Sequence, residues 1–99
     1  MQSFERFLER DRQKRKEIEK KNRDLFLKLE AVLQVAEVKH PVFATNFNEA
    51  VMRVVEELGE IAQARNKQQG VVRENEEVWD LLCVVWRLAR EDWKEYAVD

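Results

Sequence analysis

The sequence predicts an all-α protein, a helical bundle of modest size. Among its 99 residues there are only two glycines and one proline, so few positions force a helix to end. Apolar residues recur every three or four positions along the chain, and no segment shows the alternation typical of a β-strand. We therefore expect one domain over 1–99, with an N-terminal helix and loop in 1–45 and a helical core in 46–99.

The first helix is expected from residue 3 to about residue 37. Lys39-His40-Pro41 ends it, because the residue before a proline is disfavoured in the α region. Residues 10–23 are almost entirely charged, with Ile18 as the one apolar interruption, so this stretch is either solvated or laid against another subunit. The later part carries the apolar positions Leu25, Leu29, Val32, Leu33 and Ala36.

Two further helices are expected in the second half. Asn46 followed by Glu49 matches a capping box, so the second helix begins near Phe47. Gly70 is expected to end it. The third helix is expected from about Arg73 to Tyr96, apolar on nearly every side between residues 78 and 89 and therefore buried. The second helix has an apolar stripe formed by Phe47, Ala50, Val51, Val54, Leu58, Ile61 and Ala62.

Composition excludes several classes of protein. The net charge of −2 argues against a general nucleic-acid binder, which is usually strongly basic. The N-terminus lacks the apolar region of a signal peptide and no stretch has membrane-spanning length, so a cytoplasmic protein without a membrane partner is expected. Cys83 is the single cysteine, and its apolar neighbours predict a buried, inert thiol. Charge is uneven, with 11 Lys and Arg against 8 Asp and Glu in 1–45, and 7 against 12 in 46–99.

Two acidic motifs stand in the second half of the chain. Glu56, Glu57 and Glu60 form an EExxE pattern, and Glu77 and Asp80 form an ExxD pattern, with sixteen residues between Glu60 and Glu77. On helices, acids three or four positions apart share one face. Carboxylates brought together in this way repel one another unless a cation lies among them, and oxygen ligands of this kind suit Mg²⁺ or Mn²⁺.

Helical geometry separates the roles of these acids. Glu57 and Glu60 fall at the edge of the apolar stripe, whereas Glu56 points further towards solvent. Chance alone produces EExxE on an acid-rich helix, but Glu77 and Asp80 begin an otherwise apolar helix, where acids need a partner. The predicted metal ligands are therefore Glu57, Glu60, Glu77 and Asp80.

The pattern resembles that of the MazG-like, all-α nucleoside triphosphate pyrophosphohydrolases. The likeness runs from about residue 46 to residue 90 and is strongest over 54–61 and 80–90, which look like the family's two core helices. Arg87 stands where relatives often carry Asn, and residues 1–45 match no motif of the family.

The resemblance implies a function. It is the Mg²⁺-dependent hydrolysis of an NTP or dNTP to the monophosphate and pyrophosphate, with Mn²⁺ as a possible substitute and house-cleaning of the nucleotide pool as the role. All five acids, Glu56, Glu57, Glu60, Glu77 and Asp80, are then catalytic, with Glu56 as the candidate that orients the attacking water. The candidate substrate-binding residues are Lys67, Arg87 and Arg90 for phosphates, with some lysines of 14–28, and Phe47 for the base.

A homo-oligomer, dimer or tetramer, is also expected. Trp79, Trp86 and Trp93 recur every seven residues and predict a packing face between helices or subunits. Two alternatives stay open. One is phosphoribosyl-ATP pyrophosphohydrolase, which resembles this pattern but usually has an aromatic residue and a histidine soon after the aspartate, where this chain has Leu-Leu-Cys-Val. The other is a non-catalytic helical interaction module.

Overall fold

Three α-helices make up most of the chain in a computed structural model, which describes residues 2–96. They are α1 (Gln2–Lys39), α2 (Phe47–Asn66) and α3 (Val71–Ala89), and a short 3-10 helix follows over Asp92–Tyr96. No strand occurs within these residues. The all-α prediction is confirmed, whereas the MazG-like type of bundle and its completion by oligomerisation stay predictions.

The N-terminus of α2 lies where the sequence places it. Asn46 has extended backbone (φ −157°), and its side-chain oxygen accepts a hydrogen bond of 2.8 Å from the Glu49 N–H. The carboxylate of Glu49 accepts a hydrogen bond of 2.8 Å from the Thr45 hydroxyl. This capping fixes the direction in which α2 leaves the loop, and with it the face that carries the acids.

The ends of α2 and α3 differ from the prediction. α2 ends at Asn66, and Gly70, with φ +96°, precedes the first residue of α3 instead of ending α2. The expectation that the third helix reaches Tyr96 is wrong, because α3 ends at Ala89 and Glu91 adopts a left-handed conformation (φ +61°). Arg87 and Arg90 both bind the carboxylate of Asp92, which holds the chain in this turn.

The chain divides into two compact units, one up to Glu30 and one from Ala31. The first, up to Glu30, is helical and carries local ion pairs such as Arg15–Asp11 at 3.0 Å. The second begins at Ala31 and includes the end of α1, α2, α3 and the 3-10 helix. Its core centres on Phe43, Ala44 and Ala50, with Val84, Leu88 and Trp93 packed against them.

One face of α3 remains open to solvent within the chain. The sequence predicts α3 to be buried on nearly every side, yet Trp86 is 41% exposed, and Val78, Leu82 and Val85 are exposed to a similar degree. On α2, Leu58 of the predicted apolar stripe is also exposed. Trp93 lies in the 3-10 helix, so the three tryptophans do not form one stripe on a single helix. Within residues 2–96, no helix is long and apolar enough to cross a membrane.

Candidate metal and substrate site

Three glutamates converge where α2 packs on α3. Glu57 and Glu60 come from α2 and Glu77 comes from α3, and each offers a carboxylate oxygen within 4.8 Å of the other two. Glu77 is only 3% exposed, Glu57 is half-buried and Glu60 is exposed. The spacing of three between Glu57 and Glu60 places both on one side of α2, and helix packing brings Glu77 to meet them.

Two oxygens in this cluster are buried without a partner. Glu57 Oε2 and Glu77 Oε2 have no hydrogen-bond partner within the described residues. Arg73, one turn before Glu77 on α3, forms an ion pair of 2.5 Å with the other oxygen of Glu77. A buried carboxylate oxygen without a donor costs free energy, so the cluster calls for a further positive charge or for protons.

The pKa values of three acids at this site are raised. Burial, followed by the nearby charges of Glu60 and Asp80, raises the pKa of Glu57 from 4.5 to about 7. Burial and then the proximity of Glu60 raise the pKa of Glu77, although Arg73 acts in the opposite direction. The pKa of Asp80 is raised by burial and by the charge of Glu77. Near neutral pH the carboxyl group of Glu57 is therefore partly protonated unless a cation is present, and burial favours the protonated forms of Glu77 and Asp80 in the same direction.

The donor set fits a hard divalent cation. It consists of carboxylate oxygens alone, two of them without partners, and such oxygens are the ligands that Mg²⁺ and Mn²⁺ prefer. Three of the four predicted ligands, Glu57, Glu60 and Glu77, form this group of carboxylate oxygens. Among the described residues, Asp80 is not part of it. Glu56 is exposed on α2, on the solvent side that its helical position predicts.

A cavity of about 890 Å³ adjoins the acids within the second unit. Glu57 and Asp80 both line it, as does Arg53, one turn before Glu57 on α2. The other walls are largely apolar and come from the end of α1, the loop after it and α3. They include Val32, Val35, Ala36, Val42, Phe43, Cys83 and Val84. This cavity thus combines an acidic edge with an apolar interior, and its volume is typical of a pocket for a small organic ligand.

Arg87 is a buried residue of the cavity wall that links α3 to the loop after α1. It is 6% exposed, and its guanidinium donates to the carbonyl oxygens of His40 (2.9 Å) and Pro41 (3.2 Å) and to Asp92 (3.2 Å). It also lies 5.1 Å from the centre of the Phe43 ring. These contacts hold the loop after α1 against α3, so Arg87 shapes the cavity wall. Its predicted contact with substrate phosphates stays a prediction.

The remaining predicted substrate-binding residues lie elsewhere. Arg90 binds the carboxylates of Glu37 and Asp92, and both bonds raise its pKa. Phe47 is 54% exposed and packs edge-on against Trp93, with ring centres 5.9 Å apart. Lys67 caps the C-terminus of α2 and is exposed. Within the described residues, the cavity wall includes none of these three, so their role in binding substrate stays a prediction from the sequence.

Sequence reasoning missed two basic residues that line the cavity, Arg53 and Lys39. Arg53 stands one turn before Glu57, a spacing that signals a shared face. Lys39 also lines the cavity, and its charge opposes the rise in the pKa of Asp80. Nothing in the local sequence links Lys39 to an acid forty-one positions later, so only the packing reveals this contact.

Comparison of the chain with protein-family models, with curated proteins and with solved structures found no match. The likeness to MazG-like enzymes therefore rests on the residue pattern alone, and the site is interpreted from its own geometry.

Proposed function

We propose that this chain is a metal-dependent nucleoside triphosphate pyrophosphohydrolase, acting on an NTP or dNTP to give the monophosphate and pyrophosphate. The observation that carries the proposal is the three-glutamate cluster with two buried, unpartnered oxygens beside a cavity of about 890 Å³. A site that joins a cation-binding edge to an apolar pocket suits a ligand that is anionic at one end and flat and uncharged at the other.

The chain's own residues account for binding and orientation. Glu57, Glu60 and Glu77 are the residues that would hold Mg²⁺ or Mn²⁺, with Asp80 facing the same cavity as Glu57. The bound cation would neutralise phosphate oxygens and make a bound water more acidic. Arg73 orients Glu77 through its 2.5 Å ion pair and opposes the rise in the pKa of that carboxyl group. Arg53 and Lys39 line the cavity and offer positive charge to the triphosphate.

The apolar part of the cavity is suited to the nucleoside. Phe43 and Val84 form part of both the core and the cavity wall, so this wall is rigid. Arg87 keeps the loop carbonyl groups of His40 and Pro41 in place at its edge. Such a pocket orients the base and sugar so that the α-phosphate reaches the acids, and positioning of this kind supplies much of the catalysis in phosphoryl chemistry.

We further propose a homo-oligomer, dimer or tetramer, for the active form. The open face of α3 supports this, because Val78, Leu82, Val85 and Trp86 together leave a contiguous apolar surface on one helix. Large exposed apolar patches are rare on soluble monomers and usually mark interaction sites.

The direct test is hydrolysis of a panel of canonical and modified NTPs and dNTPs by the purified protein with Mg²⁺ or Mn²⁺. Phosphorus NMR distinguishes monophosphate plus pyrophosphate from diphosphate plus phosphate. The matched pair of variants is Glu77→Gln and Glu76→Gln, since Glu77 is buried in the cluster and its neighbour Glu76 is exposed. We expect loss of pyrophosphate release in the first variant and retention in the second. Equal activity in both, or no pyrophosphate with any nucleotide, would refute the proposal.

A further inference from the structure

The first unit carries an apolar face whose residues are exposed along its length. Phe4 (59%), Phe7 (62%) and Phe26 (58%) are more than half exposed, and Leu8, Ile18 and Leu25 are 40–46% exposed. These positions recur at separations of three, four and seven, so they lie on one side of the helix. The segment is rich in good helix formers, but most of the stability of helices in proteins comes from packing of such an apolar face.

The order of residues along this face is nearly the same when it is reversed. An apolar doublet, Phe7-Leu8, has Phe4 three residues before it, and a second doublet, Leu25-Phe26, has Leu29 three residues after it. Between them, Asp11 is three residues inward of Leu8, and Asn22 is three residues inward of Leu25. A contact between two identical surfaces related by a two-fold axis requires this kind of self-complementarity.

We propose that residues 4–29 of α1 form an antiparallel helix pair with the same residues of a second copy of this chain. In this register, residues of one copy face residues of the other whose numbers differ. Phe4 faces Leu29, the doublet Phe7-Leu8 faces the doublet Leu25-Phe26, and Asp11 faces Asn22. The apolar ends cover one another, and the amide of Asn22 can donate a hydrogen bond to the Asp11 carboxylate. The proposal concerns assembly and does not depend on hydrolytic activity.

Charge decides the direction of the pair. Asp11 and Arg15 lie on the apolar face and form an ion pair of 3.0 Å with each other. A parallel, in-register pair would set Asp11 against Asp11 and Arg15 against Arg15 of the two copies, and like charges at a helix seam are destabilising. The antiparallel pair places the two Asp11 residues eleven positions apart along the axis. Arg15 then faces Ile18 of the other copy, and each copy retains its own Asp11–Arg15 ion pair, which neutralises both charges.

The area and the extent of the face agree with this occupant. The exposed fractions of the six apolar side chains correspond to roughly 500–600 Å² per chain, taking about 150–200 Å² for each fully exposed side chain. Two copies would bury roughly 1,000 Å² or more, the size that a specific interface requires. The face formed by residues 4–29 lies wholly within the first unit.

Disulfide cross-linking of the full-length chain tests the register. Chains carrying Leu8→Cys are mixed with chains carrying Leu25→Cys under reducing conditions and then oxidised. The antiparallel pair brings these two thiols within disulfide range, so the mixture should give covalent dimers linked between positions 8 and 25. Each variant alone should give none, as should the wild type, whose only thiol, Cys83, is buried. Cross-linking of Leu8→Cys alone would show a parallel pair and overturn the proposal.

A second pair of variants tests the interface without cysteines. Phe7→Glu places a carboxylate opposite Leu25-Phe26 and should weaken the α1 pair at least 100-fold in sedimentation equilibrium. Gln13→Glu adds the same charge on the opposite side of the helix, about 180° around the axis from Phe4. This control should leave the affinity of the α1 pair unchanged. Circular dichroism reports whether each variant keeps its helices. Equal dissociation constants for the two variants would refute the pairing. Wild-type chains that remain monomeric and bind nucleic acid or anionic vesicles through α1 would refute it too. The 8–25 cross-link remains specific for α1 even if the α3 face also associates.

Discussion

The raised pKa of Glu57 predicts how the metal-free protein responds to pH. In the folded chain this pKa is about 7 against an ordinary value of 4.5, so between these values the folded state binds more protons than the unfolded state. The stability contributed by Glu57 is therefore greatest below pH 4.5 and is lost as the pH rises towards 7. Glu77 and Asp80, whose pKa values are also raised, act in the same direction.

The magnitude follows from the same shift. For a fully desolvated carboxyl group, the difference corresponds to about 3 kcal/mol, and the partial exposure of Glu57 reduces it to about 1–2 kcal/mol. Glu57→Gln removes the ionisable group, so it should raise the free energy of unfolding at pH 8 by about 1–2 kcal/mol. In a domain of this size the melting temperature rises by roughly 5–10 °C. At pH 4.5 the substitution should have almost no effect.

Glu56→Gln is the matched control for stability, because it makes the same chemical change at the exposed neighbouring position. Tryptophan fluorescence during urea unfolding, in the presence of a chelator, gives the free energy at each pH. Addition of Mg²⁺ should stabilise the wild type at pH 8 more than at pH 5, because binding requires ionised carboxylates. Equal effects of the two substitutions at pH 8, or a Mg²⁺ effect independent of pH, would show that Glu57 is not part of a coupled, cation-binding cluster.

Four further substitutions have defined outcomes, and a fifth serves as a control. Glu60→Gln and Asp80→Asn should each lower hydrolysis at least 100-fold with an unchanged or higher melting temperature, since repulsion among the acids is relieved; residual activity within about tenfold of wild type would contradict the metal site. Trp86→Glu should dissociate the assembly formed by the α3 face and reduce activity with it, and light scattering that shows a fully active monomer would exclude this role. Arg87→Leu should destabilise the fold by about 2–4 kcal/mol, as it removes a buried charged donor from the carbonyl oxygens of His40 and Pro41 and leaves Asp92 with Arg90 alone. Arg65→Leu, which breaks only an exposed ion pair with Glu74, should cost less than about 1 kcal/mol in the same unfolding experiment.

Local sequence patterns were sufficient for the helices and for the face that carries the acids. The cap at Asn46 depends on a side chain and a backbone group three residues apart, so the sequence locates the start of α2. The spacing of Glu57 and Glu60 likewise places both on one side of α2, whatever the rest of the chain does. In contrast, the end of α3 was predicted wrongly, because the helix stops where Arg87 and Arg90 bind Asp92, and no propensity of the intervening residues signals this.

The sequence by itself determined the all-α class and which acids share a face of one helix, since helical periodicity and carboxylate spacing are properties of neighbouring residues. Only the tertiary structure decided which acids meet. It brought Glu77 to Glu57 and Glu60, left Asp80 on the cavity wall, and assigned Arg87 to the loop carbonyl groups of His40 and Pro41. The physical reason is that the angle and depth at which α2 packs on α3 depend on contacts distant in sequence. Burial by that packing, followed by the nearby charges of Glu60 and Asp80, raises the pKa of Glu57, and the same burial leaves its oxygen without a partner.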